Sequence, residues 1–157
     1  MKLAIWVIGQ YHSPYIKTGV EEYLSRLQKY LPTEWEHIVS SKAKKTLNPD
    51  QQKVIEAEAV LKKIKPGDKF ICLDEYGKTI SSVELSQLMQ KCMIEVPGRL
   101  ILLIGGAYGL SDILLKQSLM NLSLSKLTFT HQFAWLITVE QLYRAMTILA
   151  NEPYHHE

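Results

Sequence analysis

The sequence is short of the features that reveal a function by composition alone. It has only two cysteines, Cys72 and Cys92, in different predicted elements and without metal-ligand spacing. Both are expected as packed, reduced thiols, as in a cytosolic protein. No apolar run approaches the roughly 20 residues needed to cross a bilayer. The opening MKLAIWVIGQ has one lysine, a short apolar stretch and no small-residue cleavage site, so a buried first strand is expected there and not a signal peptide. The net charge is only +2, far from the clustered Lys and Arg of a dedicated nucleic-acid binder. Any grip on RNA must come from local patches, or from two copies pooling theirs. The chain has no internal repeat, low-complexity segment or interdomain linker.

What is present is an ordinary globular composition: 157 residues, 46% hydrophobic and 22% charged. That suffices for one domain around one core and leaves no room for a second catalytic domain. Substrate recognition therefore falls to the same domain, to a partner or to a second copy. Short apolar runs read as buried strands at 2–9 (KLAIWVIG), 69–73 (KFICL) and 99–104 (RLILLI), with a less regular strand at 34–40 and a short final one at 124–129. Helical spacing falls at 15–30, 49–64, 81–94, 111–120 and 134–150, with loops at 41–48 and 74–78. Strands alternating with helices predict an α/β fold, a mostly parallel sheet covered by helices on both faces.

Four segments could carry chemistry. In Ile104-Gly105-Gly106-Ala107-Tyr108-Gly109-Leu110, a strand runs into paired glycines and a third glycine precedes a capped helix. Glycines let backbone groups approach a ligand closely, and ligands in open α/β sheets sit at the carboxyl ends of strands. By spacing alone, a ligand turn and a plain strand-to-helix turn weigh equally. The pattern is neither a Rossmann fingerprint nor a P-loop. The second segment, Leu124-Ser125-Lys126-Leu127-Thr128-Phe129, follows closely in sequence and means little alone. In the third, Glu140 and Arg144 are four apart on one helix, the spacing of an intrahelical ion pair, beside a broad apolar face of Leu136, Val139, Leu142, Tyr143 and Met146. The fourth is the tail Asn151-Glu152-Pro153-Tyr154-His155-His156, whose histidine pair lacks the companions of a zinc site. His12, His37 and His131 carry no signal alone.

Taken together and in order, VIG, LIGGAYGL, LSLSKLTFTHQ, VEQLYRAMTI and NEPYHHE resemble the ribosomal RNA large-subunit methyltransferase H family, of the SPOUT class, over the whole length of the chain. The resemblance implies a homodimer with a C-terminal trefoil knot, a feature that residue patterns do not predict. It also implies S-adenosylmethionine as cofactor and methylation of N3 of a pseudouridine in 23S ribosomal RNA on the assembled ribosome. Carried over by residue, Leu73, Gly105 and Gly106 line the cofactor pocket, and Leu124, Ser125, Lys126, Leu127, Thr128 and Phe129 wrap the cofactor. Tyr154, His155 and Arg144 face the substrate. No metal and no membrane are implied, and the expected location is the cytoplasm. Two positions depart from the family: Thr130 stands where a proline is usual, and Trp135 where an arginine is usual. Thr130 frees a φ angle that proline would fix. Trp135 removes a cation and is expected to stack on a base or to pack in the dimer interface.

Methyl transfer to an imide nitrogen requires loss of the N3 proton, and a general base contributes roughly 10²–10⁴-fold. His155 is the first candidate, Glu140 the second, and a basic neighbour stabilising the imidate, such as Arg144, would also serve. RNA phosphates are expected to meet Lys42, Lys44 and Lys45, with Lys17 and Arg144. The competing readings are a different SPOUT activity such as tRNA ribose methylation, opposed by the Pro-Tyr-His tail, and a non-catalytic ribosome-binding or assembly factor, which Thr130 and Trp135 would favour.

Overall fold

The computed structural model describes residues 1–42 and 44–157. Ala43, inside the expected 41–48 loop, lies outside the described residues. Five strands form one sheet, β1 (Lys2–Ile8), β2 (Thr33–Ile38), β3 (Lys69–Thr79), β4 (Arg99–Ile104) and β5 (Asn121–Ser123), in the order β2-β1-β4-β3-β5. Every pairing is parallel. The helices are α1 (Pro14–Leu27), α2 (Pro49–Leu61), α3 (Ser82–Glu95), α4 (Asp112–Gln117) and α5 (His131–Leu149).

Strand alternation divides the core in two. Leu3, Ile5, Val7, Leu100, Leu102 and Ile104 point to one face, where Ile16 and Val20 of α1, Met89 of α3 and Val139 and Leu142 of α5 cover them. Ala4, Trp6, Ile8, Ile101 and Leu103 point to the other, beneath Ala57 and Val60 of α2 and Leu114 of α4. Both cysteines are free and buried, and burial pushes the Cys72 thiol up to about 12.

The structure redraws two expected elements. Strand β3 does not stop at Leu73 but continues through the expected 74–78 loop to Thr79. Leu122 of β5 pairs with Leu73 and again with Lys78, so 74–77 is an unpaired excursion between two pairings of β3 with β5. Gly77 makes the return to β5 possible: a Cβ there would stand 2.7 Å from backbone atoms of Asn121 and Leu122. The second change is at 124–129, which is not a strand. Pairing ends at Ser123, whose Oγ donates to the Ser125 carbonyl at 2.8 Å, while the Leu127 amide donates to Ser125 Oγ at 3.0 Å. These local bonds turn the chain off the ladder.

Thr130 and Trp135, the two positions expected to depart from the family, both have structural roles. Thr130 is the N-cap of α5, its side chain accepting from the Phe133 amide at 3.4 Å, with φ −61°. The threonine therefore holds the φ that a proline would impose. Trp135 is fully buried within one chain, edge-on to Tyr11, Trp35, His37 and His131 at centroid distances of 5.6 to 6.1 Å. This corrects both expectations for Trp135, since a ring with no accessible surface neither stacks on a base nor faces a partner.

Candidate active site

Three segments meet where β4 and β5 end and β3 parts from β4 after Leu73. Strand β4 delivers the glycine turn, closed by the Gly109 amide donating to the Gly106 carbonyl at 3.1 Å and by a bridge between those residues. Gly109 has φ +79°. At Gly105 a Cβ would come within 2.8 Å of the Gly109 backbone. The fold thus demands glycine at both positions. At Gly106 it does not, because a Cβ there would meet nothing nearer than 3.7 Å.

Between this turn, the outgoing arm of β3 and the 124–130 segment lies a cavity of about 600 Å³. Leu73, Gly105, Gly106, Leu124, Ser125, Leu127, Thr128 and Phe129 line it, and Lys126 does not. A smaller cavity of about 320 Å³ shares the wall formed by Leu73, Leu122, Ser123, Leu124 and Phe129 and extends between α3 and α5, where Ser82 Oγ donates to Gln141 Oε1 at 2.6 Å.

The larger cavity's charged lining was not foreseen from sequence: Asp74, Glu75 and Asp112 face it with Lys53. Burial raises the Asp74 carboxyl above its ordinary range. An excess of carboxylate suits a cationic ligand, and the leucines and Phe129 suit a flat apolar one. A sulfonium nucleoside such as S-adenosylmethionine combines both, so the residues present fit that cofactor. Among the described residues no group of His, Cys, Asp and Glu could hold a metal, and no helix is long and apolar enough to cross a membrane.

The tail forms a separate cluster against α5. Arg144 Nε donates to Glu140 Oε1 at 3.1 Å, with a second, shorter bond from Nη2. Tyr154 Oη donates to the same carboxylate oxygen at 3.0 Å, and the guanidinium lies 4.6 Å from the Tyr154 ring centre. Burial, then the contacts to Tyr23 and Glu140, push the Tyr154 hydroxyl far above its usual range, so it stays a donor. His155 Nδ1 lies 3.4 Å from Arg144 Nη1, and its Nε2 makes no hydrogen bond. None of these four residues lines the larger cavity. Within one chain, then, the residues expected at the cofactor, Lys126 apart, gather at the larger cavity, while Glu140, Arg144, Tyr154 and His155 gather in a separate cluster.

Lys42, Lys44 and Lys45 are exposed. Lys42 lies 3.9 Å from Glu58, and Lys17 the same distance from Glu21. Because β2 runs parallel to the other strands, the basic loop leaves from the same end of the sheet as the glycine turn.

This arrangement defines a class. The family model described as "Predicted SPOUT methyltransferase" matches residues 1–155, and the chain belongs to that family. More particularly, it is 46% identical over 157 residues to the ribosomal RNA large subunit methyltransferase H of Parabacteroides distasonis, covering both chains fully. It is also 44% identical over 156 residues to the protein of that name from Cytophaga hutchinsonii, covering 99% of this chain and 100% of that one. Among solved structures, a probable methylase family protein from Haemophilus influenzae Rd KW20 superposes with a TM-score of 0.52 over 95% of this chain and 66% of that one. At 15% identity this likeness speaks for the fold alone.

Proposed function

We propose that the protein transfers a methyl group from S-adenosylmethionine to N3 of a pseudouridine in 23S ribosomal RNA, acting on the assembled ribosome in the cytoplasm. The observation that carries the reading is the convergence of Leu73, the glycine turn and 124–129 on one carboxylate-rimmed cavity, together with full-length similarity to proteins named for ribosomal RNA methylation. S-adenosylmethionine supplies an electrophilic methyl group there. Leu73, Leu124 and Phe129 exclude water around it, and the backbone of Gly105 and Gly106 holds its polar edge. Positioning is then the protein's main contribution to an in-line displacement.

The separation of Tyr154 and His155 from the cavity supports a homodimer, in which a second copy brings its tail to the first copy's cofactor. The double pairing of Leu122 around Gly77 supports the C-terminal knot. His155 is assigned the proton from N3 through Nε2. In the single chain Nε2 is buried and Arg144 Nη1 lies 3.4 Å from Nδ1, so that role needs the tail to shift on binding, exposing Nε2 and leaving Nδ1 protonated and free of the Arg144 donor. Arg144 stabilises the imidate, and Lys42, Lys44 and Lys45 meet phosphate. Thr130 and Trp135 serve the fold as cap and core, so neither favours the non-catalytic reading.

The test is calorimetric titration of S-adenosylmethionine into the purified protein, with methyl transfer to ribosomes lacking the modification. The wild type binds and transfers. His155→Ala loses roughly 10²–10⁴-fold in turnover and keeps cofactor affinity. An equal loss of both removes His155 from the proton step, and no binding by the wild type removes the whole reading.

A further inference from the structure

The cavity mouth carries two aromatic side chains that the cofactor role leaves unused. Tyr76 is 88% exposed and Tyr108 is 57% exposed, and both line the larger cavity. Each is displayed on backbone that cannot easily move. Tyr108 sits on the turn closed between Gly106 and Gly109, and Tyr76 precedes Gly77, which is pressed against the β5 backbone. A ring on a fixed backbone loses little freedom when it binds, so contact made there is not offset by ordering.

The charges beside the rings decide what they contact. Asp74, Glu75 and Asp112 outnumber Lys53 in the lining, which disfavours a phosphate at this mouth. The neutral face of a nucleobase is free of that repulsion, and unpaired bases are held on proteins by stacking on aromatic rings. We infer that Tyr76 and Tyr108 form a stacking rim that holds an unpaired base of the RNA substrate over the cavity, while the backbone phosphates are met elsewhere. The two tyrosines are thereby substrate-positioning groups that touch the RNA and not the cofactor. This rests on the methyltransferase reading of the cavity.

The test compares Tyr108→Ala, Tyr76→Ala, Tyr108→Phe and Tyr76→Phe in the full chain. S-adenosylmethionine affinity is measured by calorimetry, and kcat/KM by labelled methyl transfer to ribosomes lacking the modification. Each alanine variant should lower kcat/KM for ribosomes about tenfold, within the range of lost base stacking. Each phenylalanine variant should stay within about twofold of the wild type, because stacking needs the ring and not the hydroxyl. Cofactor affinity should be unchanged in all four. Full activity in both alanine variants overturns the inference, as does a matching loss of cofactor affinity or failure of phenylalanine to restore activity. Failure of the wild type to bind S-adenosylmethionine overturns the cofactor reading and this inference with it, whereas intact binding with intact alanine activity overturns the rim alone.

Discussion

Because all five strands run one way, the sheet has two chemically different ends. Where the strands begin, charge is matched to charge. Arg99 Nη2 meets Asp68 Oδ2 at 2.6 Å, Arg99 Nη1 meets Glu34 Oε1 at 3.2 Å, and Lys2 meets Glu34 at 2.6 Å. The Arg99 guanidinium also donates to the Lys63 carbonyl at 3.0 Å and lies 5.0 Å from the Trp6 ring centre. Where the strands end, the lining carboxylates outnumber the lysine, tyrosines project into solvent, and backbone bends at glycines. One end satisfies itself and so serves stability. The other is left incomplete, which is where an open α/β sheet keeps its ligands.

The sharpest way to break this contrast is to unpair the first end. Asp68 is 4% exposed at its side chain and Arg99 19%, so Arg99→Met strands a carboxylate in a poorly hydrated place. We expect a loss of about 3 kcal/mol in urea unfolding, with cofactor affinity of the folded protein unchanged. Acid sharpens the same point. Burial alone would raise the Asp68 carboxyl, but the Arg99 guanidinium and the backbone amides of Lys65 and Arg99 hold it at about 2. A folded-state value below the unfolded one of about 3.9 gives stabilisation that is full above the unfolded value and is lost as pH falls toward the folded one. That acid-sensitive window should shrink in Arg99→Met. A variant that loses cofactor affinity at unchanged stability would erase the distinction between the two ends.

Glycines at the second end separate fold from function. Gly77→Ala places a methyl 2.7 Å from the backbone of Asn121 and Leu122, backbone that cannot step aside, and about 2–3 kcal/mol of stability should go. Gly106→Ala meets nothing nearer than 3.7 Å, so its stability should stay within about 0.5 kcal/mol of the wild type while cofactor affinity falls. Thermal unfolding and calorimetry on the same two variants decide this. Equal destabilisation by both would mean that the whole glycine set is architectural.

What the sequence discloses follows the same divide. The continuous apolar runs of β1 and β4 and the cap of α3 are local signals, and the structure obeys them. Ser81 and Glu84 form a reciprocal cap on α3, which their spacing announces. The passage of β3 along β5 is different in kind. Gly77 reads as one more loop glycine, because the backbone it must clear lies more than forty residues away in sequence. The same limit applies at 124–129, where apolar and hydroxyl residues look like a strand until Ser123 and Ser125 bond locally. Trp135, judged by what the family has there, suggested a surface role. Its neighbours Tyr11, Trp35 and His37 come from the first strand's exit and from β2, and only the assembled fold brings them around it. The carboxylates of the cavity were likewise hidden, since Asp74 and Asp112 belong to segments that nothing local joins.

The smallest expected effect tests how far the second end tolerates change. Thr130 lines the cavity and caps α5, with a φ of −61° that proline would also hold. Thr130→Pro removes a side-chain cap worth about 1 kcal/mol. It also restricts the unfolded chain, which stabilises by about 0.4–1 kcal/mol where the native φ is compatible, and −61° is compatible. The two contributions oppose each other and are of similar size, so stability should move by less than about 0.5 kcal/mol, while Thr130→Ala, which loses the cap without the compensation, should cost about 1 kcal/mol. If the proline variant is destabilised as much as the alanine variant, the backbone at the start of α5 differs from the one described, and the wall of the cavity that it anchors moves with it.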